Sequence, residues 1–133
     1  MKYLLDTNTC IFLMKNMSEV VERFNEKKQS GIVISSITAA ELLYGVYKSD
    51  YVEKNRMAFL NFISGIRIID FDGNAADTYG IIRAYLQKKG IPIGNMDTLI
   101  AAHALTEKLI LVTNNTREFE RVPNLVIEDW KDN

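Results

Sequence analysis

Tyr3-Leu4-Leu5-Asp6-Thr7-Asn8 is the stretch whose reading decides the fold. Tyr3, Leu4 and Leu5 form a brief apolar run, the pattern of a short strand covered on both faces. Asp6 breaks that run. A carboxylate at the edge of a core is costly unless it is solvated, hydrogen-bonded or holding a cation. Thr7 and Asn8 follow with short polar side chains suited to a turn or a helix cap. In open α/β sheets ligands bind just beyond the carboxyl ends of the strands. Asp6 stands at such an end, so the question is which other acids meet it there.

Outward from that strand, apolar runs and helical patterns alternate. Asn8 to Asn16 reads as a helix with Cys10, Leu13 and Met14 on one face, and Ser18 as the cap of a second helix that carries Val20, Val21 and Phe24. Ile32-Val33-Ile34 is a β-branched second strand after Gly31. Thr38 and Glu41 have the spacing of a capping box, as do Asp50 and Glu53 before a helix with Val52, Phe59, Leu60 and Ile63 turned inward. Ile66 to Phe71 reads as a third strand, and Asp72-Gly73 as a turn. Asn74 to Lys89 reads as a helix with Ala75, Tyr79, Ile82 and Leu86 on one face, stopped by Gly90. Asn95 is placed to cap a helix from Met96 to about Glu107. Leu109 to Val112 is a fourth strand, Thr113 to Arg121 a polar turn with a short helical piece, and Leu125 to Ile127 a fifth strand. Such alternation predicts an α/β fold with a central, mainly parallel five-stranded sheet and helices on both faces.

The totals narrow the function. The chain has 133 residues, 47% hydrophobic and 25% charged, with a net charge of −1. That is the range of a single soluble globular domain, without the basic excess of a general nucleic-acid binder. No apolar run is long enough to span a membrane, and the start lacks the stretch of a signal peptide. Cys10 is the only cysteine, which excludes an intramolecular disulfide and fits a reducing cytoplasm. No Gly-rich phosphate loop and no Gly-x-Ser-x-Gly elbow is present. One Cys and one His make a zinc site of those ligands implausible. His103 lies six residues after Asp97, roughly 240° around a helix, and so reads as a packed or partly exposed residue on another face.

The acids remain. Asp6 ends the first strand, Glu41 opens the helix after the second, and Asp97 opens the helix before the fourth. Each has an ordinary explanation. Asp6 could cap a helix, Glu41 could close the box with Thr38, and Asp97 could answer the helix dipole. If the three converge they repel, two charges about 4 Å apart at a dielectric near 20 interacting by roughly 4 kcal/mol. A divalent cation removes that cost, and an all-oxygen set favours Mg²⁺ or Mn²⁺. Such an ion suits phosphodiester hydrolysis.

Four segments in this order, Tyr3 to Asn8, Ile37 to Leu42, Ile93 to Asp97 and Val112 to Phe119, resemble the motifs of PIN-domain ribonucleases. More narrowly they resemble VapC toxins of type II toxin–antitoxin pairs, and the likeness runs over essentially the whole chain, closing on Glu128-Asp129-Trp130. The resemblance implies one PIN-like domain over residues 1–133, a three-layer α/β/α sandwich. It implies a cytoplasmic endoribonuclease dependent on Mg²⁺ or Mn²⁺ that cuts tRNA or rRNA, leaving a 5′-phosphate and a 3′-hydroxyl, and so inhibits translation. It implies a homodimer neutralised by a VapB-type antitoxin, with DNA contacted only through that antitoxin. Carried over by position, Asp6, Asp97 and Glu41 are the metal ligands, with Asn8 and Thr113 supporting them. Asn115 stands where the family often has a fourth acid. It joins the catalytic set as a neutral ligand or a water-positioning amide, with Glu118 or Glu120 as compensating acids. Arg117 and Arg121, with Lys88 and Lys89, are candidate contacts to RNA phosphates. Two other readings compete. A haloacid-dehalogenase-like phosphatase would use Asp6 as nucleophile but wants an acid where the chain has Asn8. A non-catalytic PIN-type module would bind RNA or protein only.

Overall fold

The structure, a computed structural model, describes residues 1–131. The elements run β1 (Tyr3–Leu5), α1 (Thr7–Met14), α2 (Ser18–Lys27), a 3₁₀ turn (Lys28–Ser30), β2 (Ile32–Ser35), α3 (Ser36–Tyr47) and α4 (Val52–Ile63). They continue with β3 (Arg67–Ile69), α5 (Gly73–Lys88), α6 (Asn95–Glu107), β4 (Ile110–Val112), α7 (Thr116–Phe119) and β5 (Ile127–Glu128). The five strands form one sheet in the order β3-β2-β1-β4-β5, and all four pairings are parallel. The chain builds outward from β1 in one direction through β2 and β3, then returns to the other side with β4 and β5. The strand order therefore reverses between β1 and β4, where a crevice opens at the carboxyl ends.

Alternation along the short strands sends side chains to two cores, because successive residues point to opposite faces. Leu4, Val33 and Leu111 pack with Ile82, Leu86, Ile100 and Phe119 under α5, α6 and α7. Tyr3, Leu5, Ile32, Ile34 and Val112 pack with Cys10, Val20, Leu42 and Phe59 under α1 to α4. Covered on both faces, the strands read as continuous apolar runs, which makes the fold an α/β/α sandwich. α5 and α6 lie antiparallel, with the Thr106 hydroxyl donating to Thr78 Oγ1 at 2.9 Å. Gly31 has φ +93°, and a Cβ there would meet the Met1 Cα at 3.0 Å. Its carbonyl accepts from the Lys2 and Tyr3 amides, which fixes the entry to β1.

Several local expectations are corrected. Ser35, not Thr38, caps α3: its Oγ accepts from the Ile37 amide at 3.1 Å, and the helix starts two residues before Thr38. Thr38 is buried inside the helix, its hydroxyl without a partner among the described residues. Neither Ser18, Asp50 nor Asn95 acts as a cap, since α2, α4 and α6 have Met17, Tyr51 and Gly94 at that position and no side-chain cap bond. Asp72, read as part of a turn, caps α5 by accepting from the Ala75 amide at 3.0 Å. β3 stops at Ile69 and β5 is displaced to Ile127–Glu128, leaving Val126 exposed. Leu60 faces outward as well. These misreadings share a cause: spacing identifies a possible cap, but the chain's path into the helix decides which residue is used.

Candidate active site

The backbone of Asp6 continues the ladder one residue beyond β1, its amide donating to the Val112 carbonyl at 3.0 Å. This pins the carboxylate at the crevice between β1 and β4. Asp6 is 7% exposed. Its side chain caps α1, accepting from the Thr9 amide at 2.8 Å, so the ordinary explanation for Asp6 is present too. Burial pushes its pKa up, and the charge of Glu41 adds to that. Hydrogen bonds from the Thr113 hydroxyl and from the backbone and side chain of Thr9 work in the other direction. Thr113 is thus in contact with Asp6, and its Oγ1 also accepts from the Asn115 amide at 3.0 Å.

Glu41 lies in α3, beyond its first turn, and is not occupied by a capping box. Its Oε1 accepts a 2.6 Å hydrogen bond from the Thr7 hydroxyl. This bond joins α3 to the start of α1, one residue from Asp6. Asp97 sits in the first turn of α6, half-buried. Its pKa rises to about 6, first from burial, then from a hydrogen bond and charge repulsion with Glu118, then from the charges of Asp6 and Glu41. A hydrogen bond between two carboxyl groups requires a proton on one of them, which is how like charges tolerate contact. Gly94 precedes α6, and a Cβ there would stand 3.8 Å from Asp97 Oδ2. Glycine leaves that oxygen uncovered.

Four acids therefore share one electrostatic neighbourhood: Asp6, Glu41, Asp97 and Glu118. Glu118 is the residue that the sequence left secondary. It lies on the first turn of α7, three residues after Asn115, whose amide nitrogen donates to Glu118 Oε2 at 3.1 Å. That i, i+3 spacing at a helix start was the available signal. Asn115 itself is turned to Glu118, and Glu120 is exposed at the end of α7. Asn8 is exposed on the first turn of α1. Arg117 is exposed on α7, whereas Arg121 donates to the Pro92 carbonyl at 3.0 Å and braces the loop before α6. Cys10 is buried, and desolvation, then the charge of Asp6, hold its thiol well above the usual range, so it is not a nucleophile.

The donor set suits a hard cation, consisting of carboxylate oxygens with hydroxyl support. Among the described residues, no three His, Cys, Asp or Glu side chains stand close enough to hold one ion as arranged. Glu41 is turned to Thr7, and Glu118 to Asn115 and Asp97. The acids are thus gathered and mutually repelling, but parked on neighbouring donors.

Residues 3–125 match the PIN domain family. The tRNA(fMet)-specific endonuclease VapC of Salmonella typhimurium is 50% identical over 131 residues, covering 98% of both chains. Ribonuclease VapC2 of Rickettsia felis is 45% identical over 132 residues, again covering 98% of both. Among solved structures, VapBC2 from Rickettsia felis bound to a promoter DNA fragment superimposes with a TM-score of 0.93 at 42% identity, over 98% of this chain and 99% of that one. DNA-bound VapBC from Salmonella typhimurium gives a TM-score of 0.93 at 50% identity, covering 98% of both. The chain belongs to the PIN-domain family and, within it, to the VapC ribonucleases, the toxin members of toxin–antitoxin pairs.

Proposed function

We propose that this ribonuclease hydrolyses tRNA with the help of Mg²⁺ or Mn²⁺, using Asp6, Glu41 and Asp97 as ligands and Glu118 as a fourth acid. One observation carries the reading: the Asp97 carboxyl is held up at about 6 by burial, by its hydrogen bond and repulsion with Glu118, and by the charges of Asp6 and Glu41. Folding gains nothing from that contact, whereas a divalent cation relieves it. When bound, the ion supplies the positive charge and Lewis acidity that phosphodiester hydrolysis needs. The protein's part is orientation. Thr9 and Thr113 hold the Asp6 carboxylate, Thr7 holds Glu41, and Asn115 holds Glu118. Asn8 is exposed on the first turn of α1. Arg117 is free to meet an RNA phosphate, and Arg121 keeps further guanidinium donors after its bond to Pro92.

The name of the Salmonella relative supports tRNA as the substrate class. The VapBC complexes support a cognate VapB-type antitoxin as partner, with DNA reached through it. No helix among the described residues is long and apolar enough to cross a membrane. The antitoxin's place, on this reading, is a groove of about 450 Å³ lined by Ile11, Leu42, Val46 and Ala58, which reaches Thr7 and Glu41. Tyr44, Tyr47 and Tyr51 stand exposed on and after α3.

The test is incubation of purified protein with total tRNA and Mn²⁺, followed by sequencing of the new ends. Cleavage is expected at one or few sites, leaving 5′-phosphates, stopped by EDTA and absent in Asp6→Asn and Asp97→Asn. Either variant cutting at the normal rate would refute the ligand assignment. Failure of the wild type on every RNA, with antitoxin binding intact, would favour a non-catalytic module.

A further inference from the structure

His103 is fully buried on α6, yet the mechanism above does not use it. Its Nδ1 lies 2.7 Å from Ser35 Oγ, and the Asp70 backbone is a second hydrogen-bond partner of the ring. A buried polar ring needs partners, so the groups it bonds are the ones it ties together.

Ser35 is the last residue of β2 and the cap of α3, the helix that carries Glu41. The His103 ring stands edge-on to Phe71 at 5.3 Å, and the Phe71 amide donates to Ser36 Oγ at 3.0 Å. One polar knot thus joins α6, the start of α3 and the segment after β3. α6 packs mainly on α5 and more lightly on α3, with Ile37 of α3 set against the core that holds Ile100 and Ala104. Ser35 precedes Glu41 by six residues and His103 follows Asp97 by six, about 9 Å along each helix. We propose that His103 is a positioning residue of the candidate site: its bond to Ser35 Oγ sets α6 against the start of α3, and thereby sets Asp97 relative to Glu41.

The inference rests on reading Glu41 and Asp97 as site acids, but half of its test needs no cleavage. Spin labels on Tyr47→Cys and Met96→Cys, exposed positions on α3 and α6, report the inter-helix distance in a Cys10→Ala background. His103→Leu and Ser35→Ala are expected to broaden that distance distribution, and His103→Asn, which keeps a polar atom near the place of Nδ1, to restore it. In tRNA cleavage, His103→Leu is expected to lower kcat about 10- to 100-fold with KM within about twofold. The Leu and Ala changes should be non-additive, and His103→Asn should recover most of the rate. A wild-type distance distribution in His103→Leu overturns the proposal, as does an unchanged kcat, or a loss that His103→Asn fails to rescue. If the wild type cuts no RNA while His103→Leu still broadens the distance, the cleavage reading fails and the tie stands.

Discussion

At the carboxyl-terminal rim of the sheet, Asp6 caps α1, Asp97 occupies the first turn of α6 and Glu118 the first turn of α7. At the opposite rim, Lys2 and Lys27 reach over the Tyr3 ring, Arg67 opens β3 beside Met1, and Lys108 closes α6. Helix dipoles account for the sign of Asp97 and Glu118, since helix amino ends favour carboxylates. They do not account for the crowding. A dipole contributes about 0.3–1 kcal/mol per charge, whereas two carboxylates in contact repel by roughly 4 kcal/mol at moderate dielectric. The opposite rim mixes signs, with Glu107 next to Lys108 and Glu26 next to Lys27, and needs no further explanation. The acidic rim is packed beyond what folding rewards, and that excess points to a function for it.

The largest effect that separates the rims is on cleavage. Asp6→Asn or Asp97→Asn is expected to lower tRNA cleavage with Mn²⁺ by at least about 10³-fold, with the circular dichroism spectrum unchanged, while Lys108→Ala leaves the rate within about twofold. Comparable losses at both rims would break the comparison. Next come the residues that aim the acids: Glu118→Gln, and Thr7→Val, which frees Glu41, should each cost about 10- to 100-fold in rate or in the Mn²⁺ concentration required.

A smaller effect of opposite sign is expected on stability without metal. Asp97 has a folded-state pKa of about 6, above its usual 3.8, so the folded chain keeps a proton that the unfolded chain releases between those values. Its contribution to stability is present below about pH 3.8 and is lost as the pH rises through about 6. Asp97→Asn should therefore be more stable than wild type at pH 7 in EDTA, by about 1 kcal/mol after allowing for solvent screening, and the gap should narrow toward pH 4. Urea titrations at the two pH values measure this, and equal gaps would refute the raised Asp97 pKa. The smallest effect belongs to the other rim. Lys108 holds φ +57°, and Lys108→Gly is expected to raise stability by a few tenths of a kcal/mol without touching cleavage.

Much of this was legible in the chain. The runs at Tyr3–Leu5, Ile32–Ile34 and Leu109–Val112 announced buried parallel strands, because only strands covered on both faces are apolar at every position. Asp6, Glu41 and Asp97 stood out as acids at element junctions. Glu118 did not, because a glutamate in a short polar helix looks like any solvated residue. Its contact with Asp97 depends on α6 and α7 meeting across 21 residues of chain. The box of Thr38 and Glu41 misled for the opposite reason. Local spacing permitted a bond that the structure spends elsewhere, with Ser35 capping the helix and Thr7 taking the glutamate.

The sequence by itself determined the alternation of strands and helices, the sheet's two buried faces and the stock of acids at its junctions, since these follow from periodicity and from the cost of burying charge. Only the tertiary structure decided that the strand order reverses beside Asp6, that Glu118 meets Asp97, and that a buried histidine bonds to the cap of the neighbouring acid's helix. Those facts depend on contacts between segments far apart in the chain. Such contacts are selected by the packing of whole elements, and no local pattern of residues encodes them.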